Sequence, residues 1–241
     1  MTDHHTPDEE IVFTSGIEVE LIRSLAGDPY VVQAARVSTG RDLVDYTQGD
    51  GKLINYLMRE HHGSPFEHGM FTFRVSGPIY MVREWQRHRA GWSYNEVSGR
   101  YTELAPVFYL PPADRKIMQQ GKPGQYRYAD GLPEHRVILD SWTKAGCVKA
   151  WRAYEAMLSV GISRELARGV LPLTLFTSMY ATCNPRSLMH WLSLRSTSDK
   201  AAHPSCPQWE IAEAARQVEE HFSLAMPVTW SAFDNFGRVA P

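Results

Sequence analysis

The sequence predicts one domain that mixes helices with a strand-built sheet, and three stretches carry that expectation. Residues 70–76 alternate, with Phe71, Phe73 and Val75 on one face and Thr72, Arg74 and Ser76 on the other. That period of two belongs to a half-buried strand. Residues 135–160 space Val137, Ile138, Trp142, Trp151, Tyr154 and Met157 along a long amphipathic helix, and residues 208–222 read as a second long helix. No repeat, linker or low-complexity tract divides the chain. The simplest organisation is a loose tail at residues 1–10 and a single domain at 11–241.

The remaining elements follow in order. Ile11 to Leu25 is rich in Val and Ile and reads as strand, broken at Gly16. Asp28-Pro29 opens a helix through Val31, Val32, Ala35 and Val37, since proline suits a first helical turn. Asp50 to Glu60 forms another, with Leu53, Ile54, Tyr56 and Leu57 on one side, and the His61–Pro65 stretch ends it. Pro78 starts a helix carrying Ile79, Met81, Val82 and Trp85, whose C-terminal end delivers Arg87, His88 and Arg89. Residues 111–134 are rich in Pro, Gly and charge and read as a long surface loop. Ser163 is placed to cap a short helix that presents Arg168. Leu173 to Cys183 reads as strand, and Asn184-Pro185 opens a helix through Leu188, Met189, Trp191 and Leu192 that ends near Arg195. Residues 196–207 form a polar loop.

Composition narrows the function. Hydrophobic residues make up 43% and charged residues 22% of 241, with a formal net charge of −2. A global basic field for gripping long nucleic acid is therefore absent, and phosphate binding must be local. No apolar run approaches the length of a bilayer span. The first ten residues are polar, acidic and His-containing, unlike a signal peptide, so a cytoplasmic location is the default. Cys147, Cys183 and Cys206 are odd in number, widely spaced and without a CxxC pair, which fits reduced thiols better than a disulfide framework or structural zinc.

Three clusters could carry chemistry. The first is the run from Arg87 to Tyr101: three cationic or titratable side chains, a short aromatic and small stretch, then Glu96, Ser98 and Arg100, with turns available at Gly91 and Gly99. An isolated basic triplet is most often a solvated helix end. Here the carboxylate, hydroxyl and further Arg within one loop favour a site for an anionic, nucleotide-like ligand. Ser98 lacks a Gly-x-Ser-x-Gly setting, so a hydrogen-bonding role is preferred to a nucleophilic one. The second cluster is His61-His62-Gly63-Ser64-Pro65-Phe66-Glu67-His68, which suggests either a turn of solvated histidines or a metal site, although zinc-type spacing is missing. The third comprises Arg168 and, further on, Asn184, Arg186, His190 and Arg195, followed by Gln208-Trp209-Glu210-Ile211. Taken singly, each of these Arg residues is most often a surface group.

Together these strings resemble the flavin-dependent thymidylate synthases: Arg-His-Arg, a spacer, then Ser ahead of Gly-Arg-Tyr; a His-x-Ser-Pro-Phe-Glu-His element; and the downstream Arg168, Asn184–Leu192 and Gln208–Ile211 segments. The resemblance covers about His61 to Tyr101 and Ser163 to Ile211. It implies an α+β fold with a mixed or antiparallel sheet flanked by long helices, in a homotetramer whose active sites take residues from several subunits. It implies that dUMP is methylated with carbon from methylenetetrahydrofolate, and that FAD reduced by NADPH supplies hydride. Position by position, Ser64, Arg87, His88, Arg89, Glu96, Asn184, Arg186 and His190 would contact FAD, and His62 would line the flavin entrance. Glu84, Arg87, Glu96, Val97, Ser98, Gly99, Arg100, Arg168 and Arg195 would contact the nucleotide, and Arg195 would polarise the pyrimidine. Glu84 stands where many members carry Gln, and residues 196–207 form a longer loop than the family's. A metal site ranks last under this reading. No Gly-x-Gly-x-x-Gly is present to indicate a Rossmann-type flavin site. The rivals are a phosphate-binding nucleic-acid module using the Arg-His-Arg loop and a metal hydrolase built on His61, His62, Glu67 and His68.

Overall fold

The computed structural model describes residues 10–41, 45–122 and 126–241. The expected N-terminal tail lies, apart from Glu10, outside the described residues. In chain order the elements are β1 (Val12–Thr14), β2 (Glu18–Ser24), α1 (Asp28–Arg36), α2 (Gly51–Arg59), β3 (Phe71–Pro78), α3 (Ile79–Trp85), β4 (Trp92–Glu96), β5 (Val107–Tyr109), β6 (Met118–Gln120), β7 (Arg127–Ala129), α4 (Pro133–Ser159), α5 (Arg164–Ala167), β8 (Phe176–Cys183), α6 (Pro185–Arg195), α7 (Trp209–Ala225) and α8 (Pro227–Asn235). The fold is α+β. Its strand pairing is mixed, with β1 and β5 parallel and β6 and β7 antiparallel.

The described residues form two compact units, each drawn from separate stretches of chain. Unit 1 spans residues up to Ile17, Ser76–Glu84 and Glu96–Ser178. Unit 2 spans Glu18–Val75, Trp85–Asn95 and Met179–Pro241.

In unit 1, the β1–β5 pair and Leu175, bridged to Phe108, pack on α4. The core there is Phe108, Cys147, Trp151, Tyr154, Ala167 and Leu175. The C-terminal half of α4 buries Trp151 and Tyr154 as its spacing predicts, whereas Val137, Ile138 and Trp142 in the first half are exposed. The apolar pattern there identified a helix but not a buried face. The stretch 111–134 is not all loop, because β6 and β7 pair within it as a ribbon of mostly exposed side chains. Ser163 stands at the N-cap of α5 without a side-chain cap bond; its carbonyl accepts the amides of Leu166 and Ala167 instead.

Unit 2 contains the greater part of a sheet ordered β2-β3-β8-β4. Phe71, Phe73 and Val75 are fully buried, as the alternation requires, and Phe71 meets Phe222 of α7 edge-on at 6.1 Å. On the opposite face the Thr72 and Thr182 hydroxyls are bonded at 3.0 Å across β3 and β8. Gln217 of α7 accepts the Val19 amide of β2 at 2.8 Å. Helix α8 follows the two long helices already expected, and Asp28 serves its N-terminus. The Asp28 carboxylate, buried at the start of α1, accepts the Val228 and Thr229 amides at 2.9 Å and the Thr229 hydroxyl at 2.6 Å. The strand expected from Leu173 begins at Phe176, after a turn in which the Pro172 carbonyl accepts the Leu175 amide, while the Leu173 carbonyl accepts the Tyr80 amide of α3.

Candidate active site

Unit 2 builds its polar cluster on the turn after α3 and on α6. Helix α3 stops at Trp85, so the Arg-His-Arg triplet lies just beyond the helix rather than in its last turn. The turn is fixed by the His88 amide donating to the Trp85 carbonyl at 3.0 Å. Arg87 and Arg89 are exposed, while His88 between them is buried to 7%. Its ring meets His190 and Trp191 edge-on at 6.0 and 6.4 Å. Tyr94 of β4 donates its hydroxyl to the His88 carbonyl at 2.6 Å, and burial pushes the Tyr94 ionisation up, so this donor keeps its proton. Arg195, half-buried at the end of α6, donates Nε–H to His88 Nε2 at 3.0 Å. Burial, then the positive charge of Arg195 and then His190, lowers His88 from 6.5 to about 4. The imidazole is therefore neutral at physiological pH.

The chain reverses at Gly91 with φ +69° and comes close to α6. Asn184 caps that helix, its side chain accepting the Ser187 amide at 2.8 Å, with Pro185 in the first turn. Ser187 then donates its hydroxyl to the Ala90 carbonyl at 2.9 Å. A Cβ on Gly91 would lie 2.1 Å from Ser187 Oγ, so only glycine fits, on both backbone and steric grounds. Arg186 reaches back to Glu67 Oε1 and to the Pro241 carbonyl, each at 2.6 Å. Glu67, Gly91, Asn184, Arg186, Ser187 and His190 line a cavity of about 440 Å³. Ser64 is exposed at the start of the 3-10 turn that ends in Glu67, and exposed His62 sets its ring edge-on to Tyr56 at 5.7 Å. Beyond Arg195, the buried Arg238 donates to Glu219, Asp234 and Ser196 Oγ, and Ser205 donates to the Ser196 carbonyl. The 196–207 loop is tied to α7 and α8 in this way.

Unit 1 gathers a second group. Glu96 ends β4 and accepts the Thr177 hydroxyl at 2.8 Å, and the Val97 amide donates to the Ser178 carbonyl at 2.9 Å. Ser98 accepts the Arg100 amide on its hydroxyl, and the Tyr101 and Thr102 amides on its carbonyl, forming a tight turn. Buried Gly99 lets that turn press on its neighbours: a Cβ there would come within 2.9 Å of Leu104 and 3.2 Å of Arg168 Cδ. Arg100 is exposed, stacks over Tyr101 at 5.7 Å and pairs with Glu165 at 3.4 Å. Glu84 is half-buried near the end of α3.

Sequence reasoning missed Tyr94 and Ser187, which fix the backbone around the Arg-His-Arg turn. Tyr94 sits in β4, where the sequence predicts a loop. Glu67 of the His-rich run is engaged by Arg186 rather than facing imidazoles. Among the described residues, no group of three or more His, Cys, Asp or Glu side chains is placed to hold a metal ion. Cys147 and Cys183 are buried, and burial pushes both thiols up, Cys183 well above its usual range. Among the described residues, no helix is long and apolar enough to cross a membrane.

Residues 20–228 match the family described as thymidylate synthase complementing protein, and the chain belongs to that family. Two flavin-dependent thymidylate synthases are similar to it over its full length and theirs: 51% identity for the Streptomyces coelicolor protein and 48% for that of Streptomyces avermitilis. PolB, a UMP/dUMP methylase from Streptomyces cacaoi solved with 5-bromo-dUMP, is 47% identical, with a TM-score of 0.91 over 96% of this chain and all of PolB.

Proposed function

We propose that this chain methylates dUMP at C5 to give dTMP, taking the carbon from methylenetetrahydrofolate and binding FAD, with NADPH as reductant. Its family membership makes it an enzyme and a flavin-dependent methyltransferase. The observation that carries the reading is the donor set of unit 2. Arg186, Asn184 and His190 line a cavity suited to part of an anionic dinucleotide, and Arg87 and Arg89 add exposed cations on the turn that leads to Gly91. Ser64, Arg87, His88, Arg89, Glu96, Asn184, Arg186 and His190 would hold FAD, which when bound supplies the reducing electrons as hydride.

The remaining roles fall to the protein. Arg87, Glu96, Val97, Ser98, Gly99, Arg100 and Arg168 would bind the nucleotide, with the amides of the Ser98 turn and the Arg100 fork suited to its phosphate. Glu84 would lie near it. Arg195 would stabilise negative charge on the pyrimidine imide as C5 becomes nucleophilic; a guanidinium cannot readily act as the base. Buried, protonated thiols at Cys147 and Cys183 agree with activation that does not begin with thiolate attack. The single-domain organisation, a homotetramer with shared active sites, and a cytoplasmic location complete the proposal on the strength of the resemblance.

The test is an absorption spectrum of the purified protein followed by assay with methylenetetrahydrofolate and NADPH. A flavin band and conversion of dUMP to dTMP are expected. A colourless protein that takes up no FAD contradicts the reading. PolB is described as a UMP/dUMP methylase, so UMP is assayed in parallel, and a higher kcat/KM for UMP reassigns the substrate.

A further inference from the structure

We propose that His88 is a positioning residue for Arg195: its unprotonated Nε2 holds the Arg195 Nε–H and so fixes the guanidinium in the orientation it uses on the nucleotide. The proposal rests on the reading that Arg195 acts on the pyrimidine, and it assigns to the middle residue of the triplet a task different from its neighbours'.

The geometry gives the direction of the bond. A guanidinium has no acceptor, so a ring nitrogen 3.0 Å from Arg195 Nε accepts. Nε2 therefore carries a lone pair, and the proton of the neutral imidazole sits on Nδ1. The two partners differ in freedom. Arg195 is a long, half-buried side chain at the last position of α6, and fixing such a side chain costs rotamer entropy. His88 is already fixed. Its amide is bonded to Trp85, its carbonyl receives the Tyr94 hydroxyl, and its ring lies against Trp191 and His190. Trp85 and Trp191 pack at 4.2 Å, and Trp92 stacks on Tyr94 at 5.8 Å, so the anchor rests on an aromatic cluster. An acceptor set in advance removes part of the ordering cost from the reaction. Arg87 and Arg89, on either side, are exposed. The triplet thus divides its work: the outer two present charge outward, and the middle one turns inward to an arginine 107 residues away.

The experiment compares His88→Leu, His88→Gln, Arg195→Ala and the double variant His88→Leu with Arg195→Ala, each loaded with FAD and assayed for dTMP formation. His88→Leu should lower kcat per bound flavin about 10- to 100-fold with KM for dUMP little changed. His88→Gln, which restores an acceptor oxygen, should recover most of that loss. The double variant should be no slower than Arg195→Ala alone. Losses that multiply in the double variant, or an unchanged turnover per bound flavin in His88→Leu, overturn the positioning role while leaving Arg195's own role intact. A fully active Arg195→Ala protein instead removes the reading on which the proposal rests, and the proposal with it. A readout independent of variant folding is the ¹⁵N spectrum of histidine-labelled wild-type holoenzyme at pH 7. His88 Nε2 should appear as a bare acceptor, and a protonated Nε2 contradicts the proposal.

Discussion

The polar clusters of the two units hold their cations differently. In unit 2 the groups around the Arg-His-Arg turn are interlocked: His88 is buried, Arg195 is bonded to it, Asn184 caps α6, and Ser187 binds the turn's backbone. In unit 1 the Arg100 guanidinium sits in solvent, 3.4 Å from an equally exposed Glu165, and Arg164 pairs with exposed Glu103. Exposed pairs of this kind are worth only about 0–1 kcal/mol. Arg186 is intermediate, half-exposed but bonded to two partners. Unit 2 thus has the character of a prepared site, and unit 1 that of a surface whose arginines exchange weak protein partners for a phosphate at little cost.

That contrast can be broken at several points. The largest effect is expected from Arg195→Ala, which should nearly abolish methylation while the protein keeps its FAD. Loss of FAD with unchanged turnover per remaining flavin would reassign the residue. Gly91→Ala comes next. A methyl group at φ +69° and 2.1 Å from Ser187 Oγ should cost about 2–5 kcal/mol, read as a lowered Tm and reduced flavin content. In unit 1, Ser98→Ala should lower kcat/KM for the nucleotide by about 1.5–3 kcal/mol, roughly 10- to 150-fold. Complete loss of activity in a folded, flavin-loaded protein would revive a nucleophilic serine.

A smaller effect concerns acid. His88 is held near 4 in the fold and returns to about 6.5 on unfolding. Between those values the unfolded chain takes up a proton that the folded one refuses. Stability is therefore full above pH 6.5 and falls as pH drops towards 4. The groups facing His88 are Arg195 and His190 of α6 and Tyr94 of β4. His88→Gln should flatten that part of a denaturation-against-pH curve, and an unchanged slope would contradict the neutral imidazole. The smallest effect is expected from the thiols. Cys183→Ala should cost about 1 kcal/mol of packing and leave turnover intact. A folded, flavin-loaded variant that binds dUMP but cannot methylate it would restore a cysteine mechanism.

How much of this could be read beforehand depends on range. Strand β3 and helices α1, α2, α6 and α7 were legible because their periodicity or their proline and capping signals are local. Helix α4 was legible as an amphipathic helix, but the exposure of its first half was not, since periodicity does not report whether a partner covers the apolar face. The two units are invisible in composition because each is assembled from non-contiguous segments. The motif residues were legible as chemical types, but their partners were not. His88 with Arg195, and Arg186 with Glu67, are pairs 107 and 119 residues apart, joined only by the fold. The short spacing of His61, His62, Glu67 and His68 suggested a metal site, whereas Glu67 serves Arg186 across that distance.

The most direct test of the contrast sets Arg186→Ala of unit 2 beside Arg100→Ala of unit 1, measuring FAD content by absorbance and dUMP affinity by calorimetry on the same preparations. The account predicts that Arg186→Ala loses FAD, whereas Arg100→Ala keeps its flavin and weakens dUMP binding about tenfold or more. An Arg100→Ala protein stripped of flavin, or an Arg186→Ala protein that retains FAD and loses only the nucleotide, would contradict it.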